Sequence, residues 1–293
     1  MAARGEGETP VTRPVKVGDV TIGGGPLAVI AGPCALEDVD GALEIARAVS
    51  DAGRALGIGV IFKGSYSKDN RSSVTSYRGP GMEGGLAILR EVKAGTGLPV
   101  LTDVHTPEEV GPVAEVVDMM QIPAFLSRQT SLILAASETG RPLNIKKAQF
   151  MSPHDIKLVV EKAESRGCRQ ILLTERGSFH GFNSLVVDMR SFPIMASTGY
   201  PVCFDVTHSL QSPGGGTTGG DRRWAAVMAR AAVAAGCHCL FMEVHPSPES
   251  SPSDKETILP LAGLESFLEP LVRLNRWMAG EGLGNGPAFT GGI

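Results

Sequence analysis

A chain of 293 residues with 42 % apolar and 20 % charged residues is long enough to bury a sizeable core, as one large α/β domain or two small ones. Its formal charge of −4 excludes the basic surplus expected of a nucleic-acid binder, so positive charge must act locally. Five cysteines, an odd number without framework spacing, point to a reducing compartment.

The first fifteen residues, MAARGEGETPVTRPV, lack the apolar core of a signal peptide. No apolar run approaches membrane-spanning length, so a cytoplasmic protein is expected. Residues 15–25, VKVGDVTIGGG, predict a small hairpin plugging the bottom of whatever follows. Eight runs rich in Val, Ile, Leu or Phe then recur: 27–31, 60–63, 100–103, 119–122, 143–146, 171–174, 202–205 and 240–243. They are apolar without clean alternation, as strands buried on both faces of a parallel sheet are.

Helical patterns lie between most of them. Thr106-Pro107-Glu108-Glu109 is a capping box with proline at the first helical position. Ser152-Pro153-His154-Asp155 starts another helix in the same way, and Gly140 and Gly167 each end one. Strand then helix, eight times over, predicts a (β/α)8 TIM barrel over about residues 26–280. Residues 282–293 read as a loose tail, with no second domain and no linker. An open doubly wound sheet fits less well, because a count of eight runs suits a closed barrel.

A barrel carries its site at the C-terminal ends of its strands. The residues just past each run are Cys34; Lys63 and Lys68; Asp103 and His105; Gln121 and Arg128; Lys146 and Lys147; Glu175 and Arg176; Asp205 and His208; Glu243 and His245. So many cations on one rim of an acidic protein need an anion to join them. Neighbours on a strand face opposite ways, so only one of Lys146 and Lys147 can point inward. Asn70, Arg71, Ser72 and Ser73 add an amide, a guanidinium fork and hydroxyls, which is phosphate chemistry. Cys34, His208, Glu243 and Asp254 offer a thiolate, an imidazole and two carboxylates, a set suited to zinc, iron(II), manganese or cobalt. Cys237-His238-Cys239 sits at the wrong end of its strand, with both cysteines expected on one face as core thiols. GGGTTGG at 214–220 is a flexible loop, either a spacer or a lid.

The segments AGPC, FKGSYSKDNRSSVTSYRGPG, LTDVH, IPAFLSRQT, NIKKAQFMSP, TERGSFHGFNSLVVDMR, FDVTHSLQ and FMEVHPSPESSPSD occur in the order found in the 3-deoxy-D-manno-octulosonate 8-phosphate synthases. The chain resembles that family over roughly residues 28–271. The resemblance implies condensation of phosphoenolpyruvate with D-arabinose 5-phosphate and water, for lipopolysaccharide synthesis, by a homotetramer. It implies that Asn70, Arg71 and Ser72 hold the pentose phosphate and that Arg128 reaches it from a neighbouring subunit. Lys63, Lys68, Lys147 and Arg176 become the phosphoenolpyruvate cradle, and Asp103 contacts the sugar hydroxyls. Cys34, His208, Glu243 and Asp254 match the ligands of the metal-dependent branch; the metal-free branch has asparagine in place of Cys34. The expected catalytic residues are therefore His208, Lys147 and Asp103. Asp69 and His180 depart from the family pattern, which has alanine and a large apolar residue there. The alternatives are a sister condensation with erythrose 4-phosphate, a Schiff-base aldolase using Lys146 or Lys147, and a phosphosugar-binding barrel without catalysis.

Overall fold

The structure is a computed structural model that describes residues 12–69, 75–214 and 219–283. Eight parallel strands close into a barrel: Ala28–Gly32, Val60–Lys63, Val100–Asp103, Met119–Ile122, Leu143–Lys146, Ile171–Glu175, Val202–Asp205 and Cys239–His245. Each pairs with the next, and the eighth pairs with both the seventh and the first, so no barrel edge is left open. The helices Val39–Leu56, Gly81–Thr96, Pro107–Ala114, Thr130–Glu138, Ile156–Glu164, Ser191–Ala196, Ala225–Ala234 and Leu264–Gly280 follow the strands in turn.

The alternation within each strand decides what each layer of the barrel holds. Ile61, Leu101, Met119, Leu172, Cys203 and Phe241 point inward and form one apolar cluster. The hairpin Val15–Val17 with Val20–Ile22 closes that cluster from below, burying Val15, Val17, Val20 and Ile22 against it. Two residues further along the same strands stand Lys63, Asp103, Gln121, Thr174, Asp205 and Glu243, all buried. The barrel thus changes from dry to polar within one pleat, and the polar layer lies at the C-terminal rim. The outward residues, among them Val29, Ala31, Val60, Phe62, Val202 and Phe204, pack under the helices in a separate apolar cluster. Close approach of strands one and two requires glycine at 32, where a Cβ would collide with the Lys63 carbonyl.

The capping box at Thr106 and Glu109 is present, with the helix Pro107–Ala114 behind it. The structure adds two short antiparallel ribbons to the rim: Ser178–His180 with Ser184–Val186, and Gln211–Ser212 with Gly219–Gly220. The second ribbon takes up part of the expected loop at 214–220, whose residues 215–218 lie outside the described residues. So does the expected tail from residue 284 on. Cys237 and Cys239 do not share a face as expected. Cys239 belongs to the inner cluster, whereas Cys237 precedes the strand and packs with the helices. His238 between them accepts a hydrogen bond at Nδ1 from the Val202 N–H, 3.1 Å away.

Candidate active site

The polar layer opens into a cavity of about 1050 Å³ at the C-terminal rim. Lys63, Lys68, Asp103, His105, Gln121, Lys146, Gln149, Arg176, His208, Gln211, Glu243 and Asp254 line it, from every side of the barrel. Asn70, Arg71 and Ser72 lie outside the described residues. Arg128 is exposed and does not line this cavity, although Phe125 and Leu126 just before it do.

Lys146 and Lys147 resolve as the pleat requires: Lys146 lines the cavity, and Lys147, the expected cradle residue, does not. Lys146 continues the inward row from Asn144 and donates to Asp205 Oδ2 at 2.6 Å. Its ammonium also lies 3.7 Å from the centroid of the Phe241 ring, a cation–π contact. Lys147 points through the wall, away from the cavity. Its Nζ is caged by the carbonyls of Ala148, Met151 and Gly177 at 3.2, 3.3 and 3.5 Å and by Ser178 Oγ at 3.0 Å. Glu175 Oε1 completes the cage at 3.4 Å.

Cys34, Glu243 and Asp254 offer one ligand atom each, all within 4.8 Å of one another. Glu243 Oε1 meets Lys63 Nζ at 3.1 Å, Lys68 Nζ at 3.4 Å and His208 Nε2 at 3.6 Å. Burial opposes ionisation of Glu243, but Lys68, His208, Lys63 and Lys146 outweigh it and hold its pKa well below the ordinary value. Its second oxygen, Oε2, is buried with no hydrogen-bond partner. Burial and the Glu243 charge push the Cys34 thiol far up, and the thiol donates to Asp254 Oδ2 at 3.1 Å. Asp254 is the one non-glycine residue with positive φ among the described residues, at 52°. Such a backbone costs about 1 kcal/mol or more and persists where surrounding bonds impose it. The Asp254 carbonyl accepts from the amides of Thr257 and Ile258, and its carboxylate from Ser253 and Gln211.

These groups fit a divalent cation. An orphaned carboxylate oxygen and a thiol destabilised as thiolate by burial and anions are both features that a cation would relieve. His208 stands outside the compact trio but beside it. Its Nδ1 lies 2.9 Å from Asp205 Oδ2, and its Nε2 faces Glu243 Oε1 at 3.6 Å. A carboxylate behind a histidine is the usual support of a metal ligand.

A second network surrounds Asp103, which accepts from Ser65 Oγ at 2.5 Å and faces His105 Nε2 at 3.1 Å. Burial opposes its charge, yet the His105 hydrogen bond and the ammonium groups of Lys63 and Lys68 keep its pKa far below the carboxylate range. The other His105 nitrogen meets Glu109 Oε2 at 3.2 Å, and Tyr66 donates to that same oxygen at 2.7 Å. Asp69 forms an ion pair with Arg78, so its carboxylate is partly neutralised beside the cavity. His180 is exposed on its ribbon and does not line the cavity.

Gln211 joins the two halves of the site. Arginine only donates and carboxylate only accepts, so the amide orientation is fixed: its Oε1 accepts from Arg176 Nη2 and its Nε2 donates to Asp254 Oδ1, each at 2.6 Å. Gln121 stands at the rim as expected, whereas Gln211 and Gln149 carry no signal in the sequence. Neutral amides carry no charge signal, and only the barrel shows that they face the cavity. The other Arg176 nitrogen, Nη1, is buried without a partner.

Comparison with known proteins agrees with this geometry. Residues 8–278 match the family model described as the DAHP synthetase I family. A protein of a Geobacter species is 53 % identical over 268 residues, covering 90 % of this chain and 98 % of its own length. One from Syntrophobacter fumaroxidans is 52 % identical over 258 residues, 87 % of this chain and 90 % of its own. One from Magnetococcus marinus is 51 % identical over 253 residues, 86 % and 88 % of the two chains. All three are named 2-dehydro-3-deoxyphosphooctonate aldolase. With a matching model over nearly its whole length and half its residues shared with such relatives, the chain belongs to the DAHP synthetase I family.

Proposed function

We propose that this chain condenses phosphoenolpyruvate with D-arabinose 5-phosphate and water, giving 3-deoxy-D-manno-octulosonate 8-phosphate and phosphate. The observation that carries the reading is the set of cations Lys63, Lys68, Lys146 and Arg176 lining one cavity with Cys34's carboxylate partners. The name borne by relatives at about half identity selects the pentose over erythrose 4-phosphate.

In this reaction C3 of phosphoenolpyruvate attacks the aldehyde carbon, forming the new C–C bond while positive charge grows at C2. Water adds at C2, and phosphate leaves with cleavage of its C–O bond. The cation set neutralises the phosphate and carboxylate of phosphoenolpyruvate and orients it toward the aldehyde. Asp103, held ionised and fixed by Ser65 and His105, accepts from sugar hydroxyls. Asn70, Arg71 and Ser72 take the pentose phosphate. The exposure of Arg128 fits service to a neighbouring subunit in a homotetramer.

Cys34, Glu243, Asp254 and His208 would hold a divalent ion of the zinc, iron(II), manganese or cobalt kind. When bound, it supplies Lewis acidity toward the aldehyde or a positioned water. His208, Lys146 and Asp103 then act at the reacting atoms. The enzyme is taken to be cytoplasmic and to serve lipopolysaccharide synthesis; no helix among the described residues is long and apolar enough to cross a membrane.

The test is phosphate release with each aldose phosphate in turn. Arabinose 5-phosphate should be turned over with a specificity constant far above that for erythrose 4-phosphate. Equal constants would refute the pentose assignment.

A further inference from the structure

Lys147 is fully buried, charged by type and turned away from the cavity, so a direct substrate contact does not explain it. Burying an ammonium costs several kcal/mol unless it is paired and hydrogen-bonded. Burial and the repulsion of Arg176 act to lower its pKa, against the attraction of Glu175. What the ammonium touches shows where that cost is returned. It joins two stretches: the turn after strand five, through the Ala148 and Met151 carbonyls, and the turn after strand six, through the Gly177 carbonyl and Ser178 Oγ.

Arg176 sits between the two residues that this cage holds. On one side Glu175 faces Lys147 at 3.4 Å and accepts from the Gly177 N–H at 2.6 Å. On the other, Gly177 is held at φ 92°, a backbone only glycine adopts readily. The Phe179 N–H to Gln149 carbonyl bond, 2.9 Å, ties the same two stretches once more. Arg176 itself is buried, and its Nη1 has no partner.

We infer that Lys147 and Glu175 are a positioning pair that mounts Arg176, holding its guanidinium at the cavity where it meets the anionic group of phosphoenolpyruvate. This rests on the proposed function, because it takes Arg176 to be part of the phosphoenolpyruvate cradle. The pair does not touch substrate. It fixes the backbone on both sides of the residue that does, and a shift of an ångström there is enough to lose a charge-assisted bond.

Three variants test it in the full-length enzyme: Lys147→Met, the double variant Lys147→Met with Glu175→Gln, and Arg176→Met as the reference. The double variant removes both charges together, so no buried carboxylate is left unpaired and the fold is kept. Steady-state KM values for phosphoenolpyruvate and for arabinose 5-phosphate are measured for each, with thermal unfolding alongside. The expected result is a KM for phosphoenolpyruvate raised about tenfold or more in all three, with the pentose KM little changed. A folded double variant with the wild-type KM for phosphoenolpyruvate would overturn the pair's role while leaving the cradle intact, since Arg176→Met would still show its defect. A wild-type KM in Arg176→Met would remove Arg176 from the cradle, and the mount with it.

Discussion

Lys146 and Lys147 are neighbours in the chain and lie on opposite sides of the barrel wall. Lys146 pairs with Asp205 over the Phe241 ring at the cavity, and Lys147 pairs with Glu175 outside it. A Schiff-base aldolase needs a neutral, desolvated lysine beside the substrate. Lys146 faces the cavity but is held in an ion pair with Asp205, and Lys147 does not line it. Borohydride added during turnover with phosphoenolpyruvate or pyruvate should therefore leave no covalent adduct. An adduct mapped to Lys146 by peptide mass spectrometry would contradict this.

Arg71 carries the clearest phosphate signal in the sequence. Arg71→Ala should raise the KM for arabinose 5-phosphate about tenfold to a hundredfold, the loss of one charge-assisted contact worth roughly 1.5–3 kcal/mol. The KM for phosphoenolpyruvate should move less. An unchanged pentose KM would take Arg71 out of the site.

His238 gives the fold a pH dependence of its own, remote from the chemistry. Burial lowers its pKa to about 4, below the unfolded value of about 6.5. As pH falls through 6.5 the unfolded chain takes up a proton that the folded chain refuses until about pH 4. Stability is therefore full above pH 6.5 and is lost between about 6.5 and 4, by an amount on the order of 3 kcal/mol. His238→Asn keeps an acceptor for the Val202 N–H and removes the titration. Urea unfolding at pH 7 and pH 5 should show a smaller difference in the variant than in the wild type. The same difference in both would show that His238 does not carry the effect.

The barrel was legible because its signal is repeated. Each strand buries both faces, so runs such as VIFK and VLTD mark themselves, and strands two to five and strand seven occupy the expected residues. Charges were legible for a related reason: Lys63, Asp103 and Glu243 each stand at the end of an apolar run. What sequence could not decide was direction where two candidates adjoin. Lys146 and Lys147 differ by one step of the pleat, and only the pairing Lys146 with Thr174 fixes which of them faces inward. Gln211 was hidden for another reason. It touches Arg176 and Asp254 at once, groups 35 and 43 residues away, and an amide on a two-residue ribbon strand announces nothing by itself. The short ribbons at the rim are likewise set by tertiary contacts rather than by a local period.

We propose that Cys34, His208, Glu243 and Asp254 hold a divalent ion beside the cavity the cations line, and that the condensation uses it. The most direct test is turnover by protein stripped with a chelator, proved metal-free by elemental analysis and shown by circular dichroism to keep its fold. An ion supplying several kcal/mol to the rate-limiting barrier leaves, when removed, a loss on the order of a thousandfold. The expected result is that loss, reversed to different degrees by manganese, cobalt, iron(II) or zinc, with Cys34→Ala binding metal more weakly. Full turnover by the folded, metal-free protein would contradict it and leave Cys34 a packed thiol.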